Sequence, residues 1–479
     1  MSPAPKAGPR GDGIKAEPTG HDRSIASGGQ GPTLRNVLEN ARSEHGCDLK
    51  DLTVFDTKAD PYRLDTPKNH RVGAWAARQI ARFFRPGQRI HIRGLHYAIV
   101  AKGNVRKPDG KIYRNTDPDW EWLAEEAMKA ARWLGYVPFD RISDKRNAEP
   151  IIHRARASPE PTARNLYASV WTPPIAVDLG EIYVTEPMGQ LTGFDREQPS
   201  ALVIFGEKSS LEDVLLPIAQ RYGADLFLGP GEISDTLAHT MAQHAAEDGR
   251  KLAVITATDF DPAGRQMPVS IARKLQAFRD AFFPGLRFEV VPAALTREQV
   301  RELRLPSTPL KPGDPRAAPW RRAFGHQQTE IDALATLRPD LLRRIVETAL
   351  EPYYDRTLAG RIQQAAADWR DQAQEVIDAH VDADELDGIR DNVETIQAEA
   401  TERIEALKTE IEERVAVENA RLHELVAGIR LPRAPAVPEP ELAERPPDSV
   451  LISSDWPWAD GTRALKRHKS YGNGDSGDG

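Results

Sequence analysis

Residues 199 to 296 alternate short apolar segments with longer amphipathic ones, and this pattern constrains the fold more than any other feature. The apolar segments are SALVIFGEK, DLFLGPG, KLAVITATDFD and LRFEVVPA. Between them lie three segments with apolar residues at helical spacing, SLEDVLLPIAQRYG, SDTLAHTMAQHAAEDG and GRQMPVSIARKLQAF. Strands that alternate with helices are typical of a parallel sheet. The sequence therefore predicts an open α/β sheet, with further helices before and after it.

Three acidic residues follow two of these predicted strands. Glu207 comes after the first strand, and Asp259 and Asp261 come after the third. Ligands of open α/β sheets bind beyond the carboxyl ends of the strands, so we expect the three carboxylates to converge there. Two aspartates separated by one residue, with a glutamate from a neighbouring strand, form an oxygen site that suits Mg²⁺. The pattern predicts a magnesium site.

The Asp-x-Asp pattern has other interpretations. It is common by chance, and phosphatases of the haloacid dehalogenase type also carry it after a strand. In those phosphatases the motif lies near the start of the domain and is usually followed by Thr or Val, whereas Pro262 follows it here. The short lead from Pro262 through Gly264 into the next helix favours a ligand-binding loop.

The segment before the α/β part predicts a small helical domain with a basic hairpin. GAWAARQIARFF and IHIRGLHYAIVAKG each predict a helix, and a third helix begins after Thr116 and ends at Gly135. A Pro-Asp-Gly turn at residues 108 to 110 predicts a hairpin between the second and third helices. A hairpin beside a helix is typical of a winged helix, and a helical domain without a DNA role is the alternative. The hairpin residues expected to contact DNA are Arg106, Lys107, Lys111 and Arg114.

Charge is unevenly distributed along the 479 residues. The chain has 64 Lys and Arg against 72 Asp and Glu, a net charge of −8, and residues 381 to 420 alone hold 13 acids and 4 bases. Residues 69 to 114 are rich in Arg and Lys, which favours a face that attracts phosphate. The single Cys47 excludes an internal disulfide and a multi-cysteine metal site. No apolar run approaches the roughly 18 residues of a membrane helix, so we expect a cytoplasmic protein with no membrane contact, and nucleoid association is compatible with this.

The motifs FGEKSS and ITATDFDPAG resemble those of the toprim domain of topoisomerases and primases. They are most similar to the variant in the A subunit of topoisomerase VI and its meiotic recombination relative, where Glu-Lys follows the first strand and D-x-D-P-x-G the third. That family carries a winged-helix domain before the toprim domain, with an arginine four residues before a catalytic tyrosine that follows another aromatic residue. Arg93 and Tyr97 match this frame, with His96 in the aromatic position. The resemblance covers about residues 70 to 350, and residues 114 to 147 look more like bacterial and phage members.

The resemblance implies that Tyr97 attacks a DNA phosphodiester and forms a 5′-phosphotyrosyl bond, with Mg²⁺ on Glu207, Asp259 and Asp261. A phenol with a pKa near 10 is a poor nucleophile at neutral pH and needs a positive neighbour. Arg93 lies one helical turn away and would supply that charge. A half-buried packing role is the alternative for Tyr97. The resemblance also implies a homodimer that acts on double-stranded DNA, because the tyrosine of one protomer meets the metal site of the other.

Other functions remain open on the sequence. A nuclease that uses a metal-activated water at the same acids is one, as in the nuclease subunit of Wadjet plasmid-defence systems. A non-catalytic DNA-binding module in plasmid or phage defence is a second, and a small-molecule phosphotransfer enzyme is a third. The sequence contains no P-loop motif, so a strand-passage cycle would need a separate ATPase subunit.

The expected organisation has six parts. They are a disordered arm at 1–33, a winged-helix domain at 34–195, a toprim domain at 196–300, its helical continuation at 301–355, an acidic long helix or coiled coil at 356–430, and a Pro/Gly-rich tail at 431–479. The coiled coil rests on apolar residues spaced three to four apart, and an amphipathic helix packed on its own domain is the alternative. The tail is expected to be disordered, although residues 454 to 471 have the composition of a small basic helix.

Overall fold

The computed structural model describes residues 33–57, 59–143, 150–153, 162–171, 180–229, 231–310, 316–402, 408–446 and 449–470. The expected arm at 1–33 lies almost entirely outside these residues. No helix among the described residues is long and apolar enough to span a membrane.

The first part of the chain is helical and has its own core. Its helices are α1 (Leu34–His45), α2 (Leu49–Leu52), α3 (Pro67–Phe83), α4 (Ile92–Lys102), α5 (Asp117–Glu121) and α6 (Met128–Trp133), and a π-helical stretch, Trp122–Ala127, joins α5 to α6. Thr116 caps α5 by accepting a hydrogen bond from the backbone nitrogen of Asp119. Helices α3 to α6 enclose a core that includes Trp75, Leu95 and Tyr113. The predicted helices are therefore present and pack on one another.

A two-stranded antiparallel β-ribbon follows, formed by β1 (Ala163–Trp171) and β2 (Tyr183–Thr192). One face of the β-ribbon is buried against helices that lie more than 150 residues further along the chain. The sequence analysis places these residues in the winged-helix domain, because no local sequence pattern indicates that they pack against helices so far along the chain.

The centre of the molecule is a five-stranded sheet with the order β4-β3-β5-β6-β9. Strands β3 to β6 are parallel, and β9 adds antiparallel to the edge of β6. The mixed α/β prediction is confirmed. The elements are β3 (Ser200–Gly206), α7 (Glu212–Tyr222), β4 (Asp225–Leu228), α8 (Asp235–Asp248), β5 (Lys251–Ala257), α9 (Met267–Ala281) and β6 (Phe288–Ala294).

Short helices and strands follow β6 and cover one face of the sheet. Among them, Trp320, Leu342 and Val346 are buried in the same core as strands β3 and β5. The elements are α10 (Arg297–Glu302), β7 (Thr308–Pro309), α11 (Ala317–Phe324), β8 (Gln327–Gln328), α12 (Ile331–Leu337) and α13 (Pro339–Leu350).

The acidic region forms several helices, which are α14 (Leu358–Asp378), α15 (Ala383–Glu402) and α16 (Lys408–Val426). Ile389, Val393 and Ile411, which predicted a coiled coil, are buried against the inner face of the β-ribbon in the same chain. Ile404 and Leu407 lie outside the described residues. The apolar stripe thus has an intrachain partner, as the alternative interpretation expected.

The first and the last of the described helices meet on the α/β sheet. Strand β9 (Ile452–Ser453) and helix α17 (Trp458–Lys469) belong to the predicted tail, yet α17 packs on α9 and on α1. Leu34 and Leu38 of α1 are buried in this core. The first helix was assigned to the winged-helix domain, and the structure places it with the sheet instead because its apolar stripe faces α9.

Candidate functional site

Glu207, Asp259 and Asp261 lie together at the carboxyl edge of the sheet. Glu207 directly follows β3, and Asp259 lies two residues after β5. These strands are adjacent and parallel and stop at the same level, because Gly206 pairs with Ala257. The side chain of Glu207 accepts a hydrogen bond of 2.7 Å, through Oε2, from the backbone nitrogen of Asp259. All three acids are buried and line one cavity of about 720 Å³, called here the acid cavity.

Burial makes the negative charge of these acids costly. Burial, together with the charges of Asp259 and Asp261, raises the pKa of Glu207 to about 7, against the opposing effects of a backbone hydrogen bond and of the charge of Lys208. Burial also raises the pKa of Asp259, although hydrogen bonds from Ile331 and Lys208 oppose the shift. A cation placed among these acids would favour their charged forms.

Lys208 supplies positive charge to the acids in the present arrangement. Its Nζ lies 3.2 Å from Asp259, 3.2 Å from Glu330 and 2.8 Å from Asp332. Burial lowers the pKa of Lys208, but the hydrogen bond to Asp332 and the charge of Asp259 outweigh burial and hold the pKa above its usual range. Lys208 therefore stays charged and connects the acid cavity to the start of α12.

The loop DFDPAG is held rigidly by close packing. Asp261 accepts a hydrogen bond of 2.6 Å from the backbone nitrogen of Gly264. A Cβ atom added to Gly264 would lie 2.2 Å from the carbonyl oxygen of Asp259, so only glycine fits here. Phe260, between the two aspartates, pairs with Thr329 through its backbone and packs against Trp320. The loop therefore presents both carboxylates from a fixed backbone.

The donor chemistry of the acid cavity fits a hard divalent cation. Carboxylate oxygens are the ligands that Mg²⁺ prefers. Both oxygens of Asp259 are engaged, one by the backbone nitrogen of Ile331 at 2.8 Å and one by Lys208. Within the described ranges, no group of three or more acidic, histidine or cysteine side chains is arranged as a ready metal site. An ion held by Glu207, Asp259 and Asp261 would therefore compete with Lys208 for the charge of Asp259.

Replacing Glu207 with glutamine should stabilise the metal-free protein at pH 8 and have little effect near pH 4.5. The folded protein holds the Glu207 proton up to about pH 7, whereas an unfolded glutamate loses it near pH 4.3. Stability therefore falls as the pH rises between these values, and the full cost of about 3 kcal/mol is present above pH 7. Thermal unfolding in a chelator would measure it. Glu330→Gln is the control, because Glu330 is half exposed and contacts the same Lys208, and a Glu207→Gln gain independent of pH would contradict the assignment.

Tyr97 and Arg93 both lie on the surface of α4, and Tyr97 is 57% exposed. The tyrosine is therefore not a core residue, although its ring packs edge-on against that of His96, with 5.0 Å between the centroids. The guanidinium of Arg93 lies over the ring of Trp120, 5.4 Å from its centroid. Arg93 also lines a second cavity of about 810 Å³, which shares Asp56 and Glu232 with the acid cavity, whereas Tyr97 lines neither cavity. The structure does not bring Tyr97 to the acids of its own chain.

His96 is buried and serves packing. Its Nδ1 and Nε2 lie 2.7 Å from the hydroxyl of Tyr113 and 3.0 Å from the side-chain oxygen of Asn115. Both ring nitrogens are engaged, so His96 is not placed to take a proton from the exposed Tyr97 hydroxyl.

The basic hairpin forms as the Pro-Asp-Gly turn predicts, with Gly110 in the left-handed region at φ 85°. Lys111 and Arg114 are exposed. Arg106 donates to the carbonyl of Gly110 at 2.8 Å, and Lys107 is bound to the buried Asp119 at 2.6 Å. Lys111 and Arg114 are therefore available to a phosphate, Arg106 is exposed but braces the turn, and Lys107 stabilises the hairpin from inside.

Residues from distant segments complete the acid cavity, and sequence reasoning missed them. Asp56, Glu232, Arg316 and Lys469 line it beside the predicted acids. Lys469 ends α17, and its Nζ donates to the carbonyl of Val54 at 2.6 Å. The basic run ALKRHK was the available signal, but only the docking of α17 shows that one of its lysines reaches the cavity.

No protein-family model matches this chain, and no curated protein matches its sequence significantly.

Proposed function

We propose that this chain is a Mg²⁺-dependent DNA-cleaving protein, with a toprim-type α/β domain that holds the metal and a winged-helix-type domain that carries Tyr97. The observation that carries the proposal is the convergence of three buried carboxylates at the ends of β3 and β5. Mg²⁺ held by these carboxylates would offset the charge that develops on a scissile phosphate. The match of both motifs to the topoisomerase VI A subunit supports DNA as the substrate.

In the leading mechanism the phenolate oxygen of Tyr97 attacks the phosphorus of a DNA phosphodiester. The bond from phosphorus to O3′ breaks, O3′ takes up a proton, and the 5′ phosphate stays on the tyrosine. The exposure of Tyr97 on α4 supports access to DNA, and its position outside the lining of the acid cavity of its own chain supports cleavage across a homodimer. Exposed Lys111 and Arg114 on the hairpin would contact the backbone of the duplex.

Hydrolysis by a metal-activated water is the second candidate, with the same acids. The position of Arg93 over Trp120 favours it, because the guanidinium is then directed to a neighbouring ring. A separate ATPase or defence-system subunit would supply any strand-passage or targeting step. If the chain binds DNA without cleaving it, only the contacts of the hairpin with DNA would apply.

Incubation with supercoiled plasmid and Mg²⁺, stopped with detergent, should leave protein covalently attached to DNA 5′ ends. Tyr97→Phe should abolish the attachment and the cleavage, because phenylalanine lacks the attacking oxygen. Tyr183→Phe is the matched control, since Tyr183 is also exposed but lies on the β-ribbon, and it should behave as the wild type.

The same assay separates the candidates. Free DNA ends that persist in Tyr97→Phe would assign hydrolysis and overturn the tyrosine mechanism. DNA binding with no cleavage would overturn the enzymatic proposal. Mixing Tyr97→Phe with Asp259→Asn protein should restore nicking if the tyrosine acts on the acids of the partner, because each mixed dimer then holds one intact site.

A further inference from the structure

Lys469 of α17 brings a second ammonium group to the acid cavity. The helix ends at this residue, and its last turn lies against the loop of the two aspartates, since His468 is hydrogen-bonded to the backbone of Arg265. The backbone nitrogen of Arg265 in turn donates to the carbonyl of Asp261 at 3.1 Å. Lys469 and Phe55 both line the cavity, and the Nζ atom lies 4.5 Å from the centroid of the Phe55 ring. The docking of α17 thus places a positive charge beside the acids.

The ammonium group of Lys469 makes no ion pair within the described part of the chain. Its Nζ donates to the carbonyl of Val54 at 2.6 Å. Burial lowers the pKa of Lys469, and the charges of Asp56 and Asp60 offset only part of this effect. Lys208, in contrast, is held by three carboxylates. A partly buried cation without a carboxylate partner is stabilised by an anion that enters the cavity beside it.

The charge of the cavity lining decides when an anion can enter. Six acids and three cations line the acid cavity, so an anion is repelled while no metal ion is bound. A divalent cation on Glu207, Asp259 and Asp261 would offset two of these negative charges and would itself attract phosphate oxygens. The ammonium group of Lys469 is a compact charge with three hydrogens to donate, which suits a phosphate. Metal and lysine together therefore favour a phosphate group as the ligand.

We propose that Lys469 binds a phosphate of the DNA strand that enters the acid cavity. The inference rests on the proposed function, because it takes DNA as the substrate. Contacts of lysine with DNA phosphates fix the position of the strand and carry no sequence information. The C-terminal helix would thus position the DNA at the acids, which is a role that the exposed hairpin cations do not fill.

Chemical labelling of lysines in the full chain tests the proposal. Tyr97→Phe protein, in which the tyrosine cannot react with the DNA, is treated with an amine-acetylating reagent in Mg²⁺, with and without a short duplex. Mass spectrometry then locates the labelled lysines. The duplex should suppress the labelling of Lys469. Lys466 is the internal control, because it lies on the same helix and donates to the carbonyl of Lys50 at 2.7 Å but does not line the acid cavity, so its labelling should not change.

Substitution of the lysine gives a second readout. Lys469→Gln should weaken binding of the duplex in Mg²⁺ by about tenfold, as expected for the loss of a hydrogen bond to a charged group. The slope of log affinity against log salt concentration should fall by about one, because one phosphate contact is lost. Lys469→Arg should keep most of the affinity, since arginine also donates to phosphate.

Lys466→Gln is the matched control for Lys469→Gln. Both substitutions remove one charge and one hydrogen bond to a backbone carbonyl from α17, so both should weaken the docking of the helix to a similar extent. Lys466→Gln should nevertheless bind the duplex like the wild type. Equal melting temperatures of the two variants would show that the difference in DNA binding does not come from loss of the helix.

Two results would overturn the proposal directly. They are a duplex that protects both lysines equally or neither, and Lys469→Gln protein that binds DNA as tightly as Lys466→Gln protein. Inorganic phosphate is a further probe: if it protects Lys469 in Mg²⁺ and the duplex does not, the cavity takes a small phosphorylated substrate, which also overturns the proposal. The cleavage assay separates this inference from the proposed function. Protection of Lys469 by a duplex that is never cut would support the phosphate contact alone, and cleavage with an unprotected Lys469 would support the enzymatic proposal alone.

Discussion

Asp259→Asn should reduce Mg²⁺-dependent DNA cleavage on the order of a thousandfold, since the metal's stabilisation of transition-state charge is worth several kcal/mol. The asparagine oxygen can still accept the hydrogen bond from the backbone of Ile331, so the fold should persist. The missing carboxylate removes a metal ligand and half of the aspartate pair in the loop. Mg²⁺ should therefore also lose its effect on the melting temperature, which is a readout independent of cleavage.

Asp332→Asn provides the control for Asp259→Asn. Asp332 contacts the same Lys208, at 2.8 Å, but does not line the acid cavity. Its replacement should lower cleavage by less than about tenfold and leave Mg²⁺ binding intact, as expected for a partly exposed ion pair. Equal losses of cleavage in the two variants would mean that Asp259 and Asp332 act by binding Lys208, and that Asp259 does not bind a metal ion.

The α/β part of the fold could be predicted because its signals are local. Strands β3 to β6 are each bounded by a turn and followed by an amphipathic helix or a loop, and the acids follow the strands directly. Once β3 and β5 are neighbours in a parallel sheet, the meeting of Glu207 and Asp259 follows from strand geometry. The alternation of apolar and amphipathic segments thus predicts both the strands and the edge of the sheet at which the acids lie.

The surroundings of the site could not be predicted because their contacts are distant in sequence. Lys208 is recognisable as part of FGEK, but its partners Glu330 and Asp332 lie more than 120 residues away. The apolar stripe of α15 gave no indication of whether a second chain or the β-ribbon would cover it, since both bury the same side chains. Helical periodicity specifies that a face must be buried, and not what covers it.

Arg273→Met should destabilise the protein by about 3 to 5 kcal/mol, because it leaves the buried charge of Asp60 without its ion-pair partner. Both side chains are fully buried, with Nε of Arg273 3.0 Å from Asp60. Arg273 also donates to the carbonyl of Leu52 and to Thr462 of α17, and its guanidinium lies 4.1 Å from the centroid of the Tyr62 ring. The substitution should therefore weaken the packing of both residues 52–62 and α17 on α9.

Urea unfolding measures the loss, and hydrogen exchange in α17 shows where it acts. Arg463→Met is the control, because the pair of Arg463 with Asp460 on α17 is more than half exposed and should contribute less than about 1 kcal/mol. The double variant Asp60→Asn/Arg273→Met should recover part of the loss, since it removes the uncompensated charge. If Arg273→Met destabilises the chain while α17 keeps its protection, Arg273 stabilises α9 alone. If the amides of α17 lose protection from hydrogen exchange, Lys469 should leave the acid cavity together with the helix. The docking of α17 is then required to complete the lining of the acid cavity.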